Sequence, residues 1–118
     1  MSDIARFQSN PRMSGAVVHL GIVYLSGQLA LDNRGGDVAT QTREVLERID
    51  LLLAEAGSRR DHLLSATIYL TDMAHFEAMN AEWDAWLAQG AAPARATVGA
   101  ALAFSGFDVE IAVIAAVG

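Results

Sequence analysis

The chain has 118 residues, a formal charge of −6 and no cysteine. That length is one domain's worth, with enough interior for a core, and the missing thiols exclude disulfides, thiolate metal sites and cysteine nucleophiles. Fourteen acidic against eight basic residues argue against a nucleic-acid backbone as the main partner, and because every base is arginine, Schiff-base lysine and P-loop chemistry are excluded too.

Hydrophobic residues make up 53% of the chain and charged residues 19%, a composition that folds. A single domain over residues 1–118 is expected. Residues 1–14 are polar and read as an irregular arm. Ala16–His19 and Ile22–Gln28 are short strand-like runs about Gly21, with Gly27 supplying backbone freedom at the end of the second. Gln28–Leu31 can extend that strand to the turn Asp32-Asn33-Arg34-Gly35-Gly36.

Val38–Ala56 is the strongest helix, with Val45, Ile49, Leu52 and Ala56 on one stripe. Asp37 or Thr40 caps its start, Gly57 stops it, and Glu44 with Arg48 forms an i,i+4 pair on its wet face. Leu63–Thr71 alternates as a strand. A second helix runs from about Ala74 to Leu87, with Asp72 as its cap and Phe76, Met79 and Trp83 along its stripe. Ala94–Ala100 is a short strand. Val109–Val117 is apolar enough for a central strand buried on both faces. The order β-β-α-β-α-β-β predicts an α+β fold, a mixed sheet with both helices on one face.

No run approaches the roughly 20 apolar residues of a membrane span, and the start lacks the pattern of an export signal. A cytoplasmic protein with no membrane partner is expected. The mean hydropathy of +0.28 suggests apolar surface covered by further subunits.

Two charged residues stand out. Glu110 interrupts an apolar strand, where a carboxylate either has a partner or is poised with a raised pKa for proton transfer. Arg95 opens a strand of small residues, which leaves room before its planar fork for a carboxylate. An ion pair between the two, across neighbouring strands, is the competing structural reading for both. His19, His62 and His75 lack metal-ligand spacing. Asn80 lies near the second helix's apolar stripe, as a core amide or a ligand contact. Trp83 and Trp86 read as core or subunit contacts, since no basic residues interleave with them.

The stretch Pro93-Ala94-Arg95-Ala96-Thr97-Val98, followed by Val109-Glu110-Ile111, resembles the C-terminal signature of the RidA/YjgF family of imine/enamine deaminases. Tyr24–Gln28, Gln41–Leu46, Leu53–Gly57 and Tyr69–Asp72 resemble its other stretches, so the likeness runs from about Arg12 to Ala116. The resemblance implies a chorismate-mutase-like fold and a barrel-forming homotrimer with sites between subunits. It implies hydrolysis of 2-aminoacrylate-type enamines and imines to 2-keto acids and ammonia, with no metal and no cofactor. It implies Arg95 as the carboxylate anchor and Glu110 as the water-activating base, with Asn80, Ser26, Gly27 and Thr97 lining the cleft. Three departures bear on substrate identity: Arg12–Val17 holds no tyrosine where the family's deaminases carry one, the position after the arginine that is usually aromatic or cysteine-like is small, and Ala103–Phe107 lacks the common Leu-Pro pair. The alternative is a keto-acid-binding protein of the same fold without turnover.

Overall fold

The computed structural model describes residues 3–118. Six strands form one sheet: β1 (Ala5–Ser9), β2 (Ser14–His19), β3 (Ile22–Leu25), β4 (Leu63–Leu70), β5 (Ala94–Gly99) and β6 (Val109–Ala116). Two helices, α1 (Val38–Glu55) and α2 (Phe76–Trp86), complete it. The spatial order is β1-β2-β3-β6-β4-β5, with β4 and β5 parallel and the other pairs antiparallel. The parallel pair requires a crossover, and α2 provides it.

The expected irregular arm is a strand in part. Ala5–Ser9 pairs with β2, while residues 1 and 2 lie outside the described residues. Beyond Leu25 only Gln28 bridges, to Ile111, and Leu31–Asn33 is a 3-10 turn, so Gln28–Leu31 is not a strand.

Local chemistry sets the helix limits. Asp37 accepts a hydrogen bond from Thr40 N at 2.7 Å, and Gly57 follows the last turn with φ +83°. Asp72 caps a 3-10 turn over Met73–His75, and α2 proper begins only at Phe76. Both helices pack on one sheet face. Val45, Leu46, Ile49 and Leu53 of α1 and Met79, Trp83 and Trp86 of α2 join Val23, Ala66, Ile68, Leu70, Val109, Ile111 and Val113 in one core.

Strand β6 is central but buried on one face only. Val109, Ile111, Val113 and Ala115 are buried, whereas Glu110, Ala112, Ile114 and Ala116 alternate onto the helix-free face. The strand's uninterrupted apolar run reflects small residues on that second face, which carries no helix in the protomer. Tyr24 of β3 and Val98 of β5 are exposed there at 46% and 40%. No helix among the described residues is long and apolar enough to cross a membrane.

Two buried polar side chains pin the loops at the carboxyl ends of β5 and β3. Gln41, fully buried, donates to Gly36 O at 2.9 Å and Gly106 O at 3.0 Å, and accepts from Asp108 N at 2.9 Å. Glu44 accepts from Asp32 N at 3.1 Å, Asn33 Nδ2 at 2.8 Å and Arg48 Nε at 2.6 Å. The Glu44–Arg48 pair therefore does not lie on a wet face, since Glu44 is buried. Burial pushes its carboxyl up, but the donors from Asp32, Asn33 and Arg48 outweigh it and leave the pKa below the ordinary value.

Candidate functional site

Glu110 and Arg95 do not meet. Glu110 is in register with Tyr69 of β4, and Arg95 is in register with Ala66. Ala66 belongs to the core face and Tyr69 to the alternate, helix-free face. Paired residues share a face, and successive residues alternate. Within one protomer the carboxylate and the guanidinium thus issue from opposite sides of the sheet, with β4 between their strands. The expected structural ion pair is absent, and among the described residues no ion pair involves either side chain.

Glu110 is half-buried, and burial alone pushes its carboxyl pKa up. Its carboxylate lies over Gly27. A Cβ built on Gly27 would stand 2.7 Å from the carboxyl carbon, a distance no real contact tolerates. Gly27 is not among the residues of positive φ, so the glycine is needed for space and not for backbone freedom. Ser26, beside it, is tied into the loop: its hydroxyl donates to Gly15 O at 3.3 Å and accepts from Gln28 Nε2 at 3.3 Å.

Arg95 lies along α2. Its Nη1 donates to Asn80 Oδ1 at 2.8 Å, and its Cζ stands 5.6 Å from the Trp83 ring centroid and 5.9 Å from that of Phe76. Asn80 is thus a partner of Arg95, not a buried core amide. Thr97, two residues along β5 and on the same face as Arg95, has a buried hydroxyl without a hydrogen-bond partner. The geometry brings Arg95, Asn80 and Thr97 to one side of the sheet and Glu110 and Gly27 together elsewhere. Sequence reading missed the contact of Phe76 and Trp83 with Arg95. The signal was present, since positions 76, 80 and 83 recur on one helix face.

Fold and site together define a class: a small α+β protein that displays a half-buried carboxylate and an arginine free of ionic partners from a mixed sheet. A family model described as Endoribonuclease L-PSP matches residues 4–117. The RutC family protein YoaB of Escherichia coli K12 is 40% identical over 114 residues, 97% of this chain and 98% of its own. The crystal structure of NMB1025 from Neisseria meningitidis, a member of the YjgF family, superposes with a TM-score of 0.95 at 45% identity, covering 98% of this chain and 96% of that one. Rv2704 of Mycobacterium tuberculosis, of the YjgF/YER057c/UK114 family, superposes with a TM-score of 0.86 at 26% identity, covering 98% of this chain and all of that one. The chain belongs to this RutC/YjgF family, the one its Arg95 and Glu110 motifs resemble.

Proposed function

We propose that the protein is a hydrolytic deaminase of small enamines and imines of the 2-aminoacrylate type, releasing 2-keto acids and ammonia. It works as a homotrimer with sites between subunits. The observation that carries this reading is a pair of opposite charges, Glu110 and Arg95, each without an ionic partner among the described residues. Glu110 is half-buried, where an unpaired charge is costly unless a ligand or a reaction uses it, while Arg95 is exposed and its solvated charge is open to an incoming anion. Arg95 and Glu110 leave opposite faces of one sheet, so a cleft that combines them needs two copies of the chain. The exposed apolar residues of the helix-free face support such an assembly.

In this reading Arg95 holds the substrate carboxylate through its planar fork and removes most of the ligand's rotational freedom. The enamine takes a proton from solvent on carbon and becomes the iminium form of the imine. A water oxygen then bonds to the C=N carbon while Glu110 accepts the water's proton. Glu110 returns that proton to the nitrogen of the carbinolamine; the C–N bond breaks as the hydroxyl oxygen forms the C=O bond, the hydroxyl proton passes to solvent in place of the one taken up on carbon, and ammonia leaves the keto acid. One water is consumed and the carboxylate is regenerated. Burial makes Glu110 a stronger base than an ordinary carboxylate.

The test is release of ammonia and keto acid from enamines generated in situ from several amino acids, measured with and without the protein. Acceleration over spontaneous hydrolysis supports the reading. Pyruvate binding without acceleration would leave a keto-acid-binding protein. The description of the family model raises RNA as a substrate, but the net charge of −6 opposes it. Four of the eight arginines, Arg43, Arg48, Arg59 and Arg60, are already paired with carboxylates.

A further inference from the structure

Every contact that the Arg95 guanidinium makes with α2 is neutral. Asn80 offers an amide oxygen, and Trp83 and Phe76 offer ring faces. Arg43, Arg48, Arg59 and Arg60, by contrast, each meet a carboxylate. The difference matters chemically. A carboxylate beside Arg95 would hold the side chain but also neutralise it and compete with any incoming anion. A side chain with no neighbours would keep its charge and lose its orientation, because a long flexible stem has many rotamers. A ring quadrupole and an amide oxygen attract the cation without cancelling it.

We infer that Trp83 and Phe76 are positioning residues that hold the Arg95 guanidinium in place with its charge intact, ready for the carboxylate of a small keto or imino acid. This rests on the reading of Arg95 as the carboxylate anchor and deepens it. Neither ring needs to touch the ligand, since both act through Arg95. The arrangement is local to α2: Phe76, Asn80 and Trp83 occupy one face of the helix that forms the crossover between β4 and β5. Trp83 is 3% exposed, so its ring is fixed by the core and gives the mobile arginine a rigid reference.

The experiment measures pyruvate affinity by calorimetry, and KM and kcat for an in situ enamine, in Trp83→Leu, Trp83→Phe, Phe76→Leu and Asn80→Asp. Losing a ring face in either leucine variant should weaken pyruvate binding and raise KM by about 3- to 30-fold, with kcat unchanged. Trp83→Phe keeps a face and should recover most of the affinity. Asn80→Asp places a competing carboxylate on the guanidinium and should weaken binding at neutral pH, with recovery as acid protonates the new side chain. A merely structural defect shows no such pH profile. If Trp83→Leu fails to fold, Phe76→Leu, whose ring is only partly buried, decides the matter. Wild-type affinity in the leucine variant that folds would overturn the inference and leave the anchor intact. Wild-type affinity in Arg95→Ala would instead overturn the anchor itself.

Discussion

Arg95 and Glu110 issue from opposite faces of the same sheet, Arg95 from the face that carries the helices and Glu110 from the helix-free face. If both act on one substrate, they belong to different copies of the chain. Arg95→Ala and Glu110→Gln should each be inactive alone. Refolded together in equal amounts, they should regain about a quarter of the wild-type sites, those where an intact Arg95 faces an intact Glu110. Activity of the mixture no higher than that of either variant would place both groups in one protomer's cleft.

Glu110→Gln keeps the side chain's shape and removes the proposed base. Turnover should fall by about 10²- to 10⁴-fold, and pyruvate affinity should persist because Arg95 is untouched. Stability should move the other way. Burial raises the folded carboxyl above its ordinary 4.5, so the folded chain binds the proton more tightly than the unfolded one. Wild-type stability therefore falls as pH rises from 4.5 through the raised value, and the glutamine variant escapes that fall. Thermal melts should find the variant at least as stable at pH 7 and no different below pH 4.5. A large loss of melting temperature at pH 7 would mean that Glu110 is structural.

Gly27→Ala puts a methyl where the Glu110 carboxylate lies. The side chain can swing away, so the fold should survive with a melting temperature close to wild type. Turnover should drop toward that of Glu110→Gln, with pyruvate binding retained. Unchanged turnover would show that the placement of the carboxylate over Gly27 is not the working one.

Glu44→Ala removes the acceptor for Asp32 N, Asn33 and Arg48 at once. The Arg48 side chain is 29% exposed, so part of its loss is made good by water. The expected cost is about 2 kcal/mol at neutral pH. The lowered carboxyl pKa gives the sign of the pH dependence. This contribution is present above the ordinary 4.5 and lost as pH falls through the lower folded value, so variant and wild type should converge in acid. Denaturant titration at two pH values tests it.

Much of this architecture was legible because single residues announced it: Asp37 at a helix start, Gly57 at its end, and the alternation of Leu63–Leu70. β1 was not legible. Ala5–Ser9 is an edge strand exposed at four of its five residues, so it carries no apolar alternation. Glu44 misled because an i,i+4 pair looks the same whether its helix face meets water or a loop folded back from residues 31–33. At the site, residue types singled out Glu110 and Arg95, but their faces depend on strand order and register, which one sequence does not encode locally. Asn80 stayed ambiguous for the same reason, because its partner lies on β5.

The position of β5 has a further consequence. It is the last strand of the sheet, paired on one side only, with small residues and no lysine or proline along it to discourage strangers. Such an open edge is a template on which another extended chain can add by main-chain hydrogen bonds alone. A lone protomer therefore carries an aggregation hazard beside Arg95, the proposed carboxylate anchor. If the chain assembles as proposed, substitutions that weaken subunit association should show themselves as turbidity and inclusion-body formation before they register as a lower melting point.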